Sequence, residues 1–148
     1  MPTQMAEQTQ ELIRNVGNEF GVTTGRPRRC GWFDAPLARY SAKNNAFTKI
    51  VLTKTDVLGC LDKVKICVDY KLNGKIIDYI PSSEAEFNKC TPVYEELPGW
   101  KQPTSGIKNY EDLPTNFKKY CKRIEELIGV KISIISVGPS THQTVVVN

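Results

Sequence analysis

The sequence predicts an α/β fold, on three observations. Short β-branched runs alternate along the chain with amphipathic segments of helical period. Two β-rich runs flank Asn73-Gly74, a dipeptide suited to a tight hairpin turn. Phe117, Tyr120, Cys121, Ile124, Leu127 and Ile128 form one apolar stripe at helical spacing. The 148 residues are enough for one domain with its own core. At 40% apolar and 24% charged, the composition is that of an ordinary globular protein.

Residues 3–16 read as an amphipathic helix through Met5, Leu12, Ile13 and Val16, with Gly17 as its stop. A loop rich in arginine follows. A second helix is predicted from Asp34 or Ala35 to Asn44, with Asp34 as N-cap and Pro36 in the first turn. Residues 47–54, FTKIVLTK, read as a strand buried in a sheet. Residues 57–62 form a helical turn, and residues 63–81 form the hairpin. In its first strand Val64, Ile66 and Val68 alternate with Lys65, Cys67 and Asp69, which assigns one buried face. Residues 82–112 are rich in proline, glycine and polar side chains, and read as loop with one short strand at 93–95. The longest helix runs from Pro114 near its start to Gly129 at its end. Residues 130–139 are then a strand entering a Gly-Pro loop, and residues 143–148 an edge strand. There is no internal repeat.

The net charge of +4 is mild, because twenty basic residues face sixteen acidic ones. A whole-molecule field for nucleic acid or membrane is therefore not expected. Basic function must be local, and the densest spot is GRPRR at Gly25–Arg29. Five cysteines, no C-x-x-C, one histidine and no N-x-S/T sequon point to a reducing, cytoplasmic compartment without a zinc site. The first twenty residues do not read as a signal peptide, which argues against R-x-R-R as a secretory cleavage site.

Three stretches carry chemistry. TKTD, at residues 53–56, follows an apolar strand and fits the [NT]-K-x-D pattern of guanine sites. Guanine presents two adjacent donors, N1–H and the N2 amino group, and one carboxylate accepts both. Adenine lacks that pair, so Asp56 would reject it. The Lys54 stem can lie along the base with its head solvated. The second stretch is ISIISVGP, residues 132–139, where Ser136, Val137 and Gly138 end a strand and a backbone N–H can reach guanine O6. Each of these alone also reads as a plain turn after a strand. The third is TTGRPRR. Gly25 allows close approach, Thr23 and Thr24 supply hydroxyls, and Arg26, Arg28 and Arg29 suit carboxylate or phosphate. Pro27 prevents a helical charge face, and Cys30, Trp32 and Phe33 anchor the loop. A small RNA-binding protein, stacking bases on Trp32 and Phe33, is the competing reading.

In order, EFGVTTGRPRRCGWFD, LTKTDVL, PVYEELPGW, YCKRIEELIGVKI and SVGP resemble the C-terminal part of the adenylosuccinate synthetase family. The resemblance implies a C-terminal segment spanning residues 1–148, part of a mixed, largely parallel P-loop-type sheet with flanking helices and a hairpin. It implies GTP-dependent ligation of IMP and L-aspartate in AMP biosynthesis, in the cytoplasm, by a homodimer that binds neither nucleic acid nor membrane. By resemblance Val22, Thr23, Thr24, Gly25, Arg26, Pro27 and Arg28 hold aspartate and IMP. Arg28, Lys54, Thr55, Asp56, Ser136, Val137 and Gly138 hold GTP. The family's glycine-rich phosphate loop, catalytic aspartate and histidine, and Mg2+ ligands are expected upstream, with no catalytic or metal residue in this segment. The chain is accordingly expected to be inactive alone, or to be a guanine-nucleotide-binding fragment.

Overall fold

A computed structural model describes residues 1–147. Its core is shared by two sheets and three long helices. The first helix, α1 (Glu7–Gly17), begins later than its periodicity predicts. Residues 3–5 are instead extended beside residues 30–32: Met5 N–H donates to Cys30 O at 3.1 Å, and Trp32 N–H to Thr3 O at 3.0 Å. Gly17 stays helical, and the reversal falls on Asn18 at φ 50°, whose N–H donates to Arg14 O. Asparagine tolerates that left-handed conformation better than most residues.

Strand β1 (Phe33–Asp34) leads directly into α2 (Ala35–Asn44). The expected cap is present: Asp34 Oδ1 accepts from Leu37 N–H at 3.1 Å, with proline in the first turn. The other Asp34 oxygen accepts the Tyr70 hydroxyl. Burial, then that carboxylate, raises the Tyr70 pKa well above the ordinary phenol value.

Strand β2 (Lys49–Leu52) is shorter than predicted and only half covered. It pairs in parallel with β6 (Lys131–Ser136), and β7 (Thr144–Val146) closes that sheet in antiparallel. Among the described residues β2 has no second neighbour, which leaves Val51 55% exposed where a buried strand was expected. The predicted edge strand is β7, although Asn148 lies outside the described residues.

The second sheet is organised by β3 (Lys63–Leu72). Along one edge it pairs first with β1, in parallel, and then with β4 (Lys75–Ile77). The Asn73-Gly74 turn has φ of 51° and 79°, as a type I′ hairpin requires. The other edge pairs with β5 (Thr91–Pro98) almost throughout. β5 contains the short strand expected at 93–95 and extends it at both ends, in a segment that also holds a short helix, α3 (Glu84–Phe87). Pro92 and Pro98 sit near the ends of β5, and among the described residues β5 pairs only with β3, so the missing N–H groups are tolerated.

The predicted alternation along β3 fails at its middle. A register shift falls between Cys67 and Asp69, leaving Val68 unpaired with β5. That bulge changes the phase of the burial pattern. Val64 and Ile66 face the main core, whereas Cys67, Tyr70 and Leu72 form a second cluster with Cys90.

Helix α4 (Thr115–Ile128) ends at Gly129 with φ 73°. Its stripe, except the partly exposed Leu127, is buried in one cluster with Val64 and Ile66 of β3 and Ile132 and Ile135 of β6. α4 thus joins the two sheets across a common core. Arg123 clamps it to β5 through a bidentate pair with Glu95, at 3.0 and 2.8 Å. The mixed α/β expectation holds. Among the described residues parallel pairing is confined to β1–β3 and β2–β6. No described helix is long and apolar enough to cross a membrane.

Candidate functional site

The parallel pairing of β2 with β6 brings two of the three sequence stretches together. Both strands end on the same side, and TKTD and SVGP extend from those ends. The buried Thr55 hydroxyl donates to Ser136 O at 2.9 Å, tying one turn to the other. Lys54, Asp56, Ser136 and Gly138 line a single hollow of about 440 Å³ with Thr53 and Pro139.

Local chemistry fixes both walls. Lys54 adopts φ 60°, and its turn leads into a 3-10 segment at Asp56–Cys60. The Asp56 carboxylate is partly exposed and makes no hydrogen bond or ion pair with the described residues. Across from it, Ser136 Oγ donates to Gly138 O at 3.0 Å. Val137 is fully buried, and its N–H is occupied by Gln143 O at 2.9 Å. The Gly138 N–H has no protein acceptor among the described residues. Gln143 packs so closely that a Cβ on Gly138 would lie 2.5 Å from its Oε1. Gln143 also accepts from Ser140 N–H and donates to Ser105 O.

Removing the Thr55 hydroxyl tests that link. Thr55→Val keeps the shape and strands the Ser136 carbonyl. A loss of about 1–3 kcal/mol is expected in denaturant unfolding. An unchanged midpoint would mean that the two turns are held independently.

The arginine stretch is a compact projecting loop. Phe20 bridges Pro27, Gly21 N–H donates to Arg26 O at 2.8 Å, and Gly25 N–H donates to Gly21 O at 2.8 Å. Gly25 has φ 63°, and Arg26 N–H donates to Thr24 Oγ1 at 3.3 Å. Residues 22–29 are exposed, Val22 most of all. Cys30, Trp32 and Phe33 pack against the core as expected of anchors. Val22, Thr23, Thr24, Gly25, Arg26, Pro27 and Arg28 line neither the hollow at Asp56 nor the adjacent apolar cavity of about 190 Å³ beneath Lys54.

What joins loop to hollow is a residue the sequence reading passed over, Glu19. Its Oε1 meets Lys54 Nζ at 2.7 Å and its Oε2 meets Arg28 Nη1 at 3.0 Å. The side chain is only 15% exposed. Lys54 also donates to Gly17 O at 2.8 Å, so its head is anchored rather than free in solvent. The hydrogen bond from Lys54 outweighs burial and, with Arg28, lowers the Glu19 pKa below the usual carboxylate range. The stabilising contribution of this bridge is therefore full above that range. It is lost only as pH falls through the depressed folded-state value. Arg14 Nε donates to Arg28 O at 2.7 Å and braces the base of the loop.

The family model described as adenylosuccinate synthetase matches residues 1–145. The chain belongs to the adenylosuccinate synthetase family. The adenylosuccinate synthetase of Caldanaerobacter subterraneus subsp. tengcongensis is 49% identical over 145 residues, which is 98% of this chain and 34% of that protein. That of Trichlorobacter lovleyi is also 49% identical, over 99% of this chain and 34% of its own length. This chain thus spans about a third of the length of these relatives. A solved structure of fully ligated adenylosuccinate synthetase from Plasmodium falciparum superposes with a TM-score of 0.95 at 36% identity. It covers all of this chain, which corresponds to 36% of that one.

Proposed function

We propose that this chain is the C-terminal third of an adenylosuccinate synthetase, the ligase that joins IMP and L-aspartate using GTP. In this reading it contributes the guanine site and the aspartate loop of a cytoplasmic, homodimeric enzyme of AMP biosynthesis. The observation that carries the reading is the Thr55–Ser136 link, because it puts Asp56 and Gly138 on one hollow.

The Asp56 carboxylate accepts N1–H and the N2 amino group of guanine, one bond to each oxygen. The Gly138 N–H, free of a protein acceptor among the described residues, donates to O6. The Lys54 stem lies against the base, Thr55 and Ser136 hold the two turns together, and buried Val137 backs the wall. In the loop, Arg26 and Arg28 bind aspartate and IMP, and Arg28 also faces the GTP phosphates. Val22, Thr23, Thr24, Gly25 and Pro27 shape the aspartate pocket. The guanidinium groups stabilise charge that develops during phosphoryl transfer. Mg2+ would supply further charge neutralisation, but no three His, Cys, Asp or Glu side chains converge to hold it among the described residues. Its ligands belong in this reading to the rest of the enzyme.

Titrating GTP and ATP against the purified chain tests the site. The expected outcome is a preference for GTP of about tenfold or more, removed by Asp56→Ala, with no adenylosuccinate formed by the chain alone. The 148 residues contain no glycine-rich loop ending in Gly-Lys to cradle phosphates. Equal affinity for both nucleotides would overturn the guanine assignment. Salt-sensitive binding of RNA without base preference would favour the nucleic-acid reading.

A further inference from the structure

Two binding elements that the proposed function treats separately meet at one carboxylate. Glu19 is short of solvent and uses both oxygens, one on Lys54 at the hollow and one on Arg28 at the loop. The backbone adds a third tie, since Arg28 N–H donates to Glu19 O at 3.0 Å. We propose that Glu19 is a positioning residue that couples the guanine hollow to the arginine loop, so that a ligand in either one favours the arrangement the other needs. This inference rests on the assignment of the two sites above.

The physical route is short. A base stacked on the Lys54 stem restricts that side chain and its ammonium. A fixed ammonium holds the Glu19 carboxylate in one orientation. The second oxygen then holds the Arg28 guanidinium, which is otherwise half exposed. An anion entering the loop meets an arginine already ordered, so less side-chain freedom is lost on binding. By linkage the effect is reciprocal: a dicarboxylate in the loop must improve nucleotide binding by the same factor.

Glu19→Gln isolates this role. Glutamine keeps the length and one acceptor but, being neutral, forms an ion pair with neither cation. The backbone path of the loop is held independently, by Arg28 N–H on Glu19 O, by Arg14 Nε on Arg28 O, and by the Phe20–Pro27 bridge. The variant should therefore fold. Glu19→Asp, which keeps the charge but shortens the reach, is the second variant.

The experiment uses the complete synthetase containing this segment, with succinate as an unreactive dicarboxylate in the loop. The dissociation constant of GTP is measured with and without saturating succinate, and that of succinate with and without GTP. In the unsubstituted enzyme both should fall by one common factor, about fivefold or more. In Glu19→Gln the factor should approach one, and in Glu19→Asp it should lie between. A brace with a merely structural role would weaken each ligand and leave the factor intact, and that result overturns the proposal. No coupling in the unsubstituted enzyme overturns it as well. ATP in place of GTP separates the two readings: if ATP binds as well as GTP, the guanine assignment itself fails. If GTP is preferred but coupling survives Glu19→Gln, only the coupling fails.

Discussion

Asp56→Asn in the complete enzyme should lower kcat/KM for GTP on the order of 100-fold while improving the use of XTP. The carboxylate is proposed to accept two parallel hydrogen bonds from guanine, each charge-assisted. Hydrogen bonds to charged groups contribute about 1.5–3 kcal/mol each. Replacing both charge-assisted bonds with one neutral bond and one donor–donor clash costs ~3 kcal/mol or more, which is two decades at ~1.4 kcal/mol per decade. Asparagine keeps one acceptor and replaces the other with an amino donor. That donor opposes the guanine N2 amino group but matches the carbonyl that xanthine carries there. The free state of Asp56 supports a large effect, since no side chain among the described residues competes for it. ITP, which lacks the N2 amino group, divides the two bonds: the native enzyme should prefer GTP to ITP, and the variant should not. An unchanged ratio of GTP to XTP would show that Asp56 does not read the base.

The parts of this fold legible in the sequence were those set by local chemistry. Asp34 and Pro36 specify the start of α2 within three residues. Asn73 and Gly74 specify the hairpin because both must take positive φ. The stripe of α4 is visible because one helix face carries it. Features set by distant partners were not legible. The bulge at Val68 is a register shift against β5, and period-two counting has no term for it. Only the middle of β5, at 93–95, was legible; its ends were hidden by Pro92 and Pro98, which read as loop until its edge position is known. The site divides in the same way. Lys54, Asp56, Ser136 and Gly138 stood out as strand-end motifs, and parallel pairing of β2 with β6 explains their meeting. Glu19 did not, because an isolated acid in GNEFG gains its meaning only from Lys54, thirty-five residues on, and Arg28, nine residues on.

Phe117→Ala should be the most damaging single truncation in the core, at about 3–5 kcal/mol. Phe117 is fully buried on α4, and its ring meets Trp100 edge-on at 4.9 Å and 67°. Trp100 in turn packs on Tyr120 at 5.7 Å. The truncation removes the transfer energy of the ring, opens a cavity, and loses an aromatic pair contributing ~0.5–1.5 kcal/mol beyond area. Against a total of about 5–15 kcal/mol that is a large fraction. A fall in Tm of about 10–20 °C follows for a chain of this size. The damage should reach the hollow as well. Trp100 Nε1 would lie 3.1 Å from a Cβ on Gly59, so the indole backs the 3-10 segment that begins at Asp56. Once Phe117 no longer holds the indole, that segment loosens, and the preference for GTP over ATP should weaken in the variant at temperatures where it is still folded. Phe117→Leu, which keeps most of the volume, should cost less than about 1.5 kcal/mol. Val51→Ala on the exposed side of β2 should stay within about 0.5 kcal/mol. Calorimetry of the three variants, with nucleotide preference measured on each, separates a packing role for Trp100 from an incidental contact. A destabilised Phe117→Ala variant with full guanine preference would disconnect the aromatic cluster from the site.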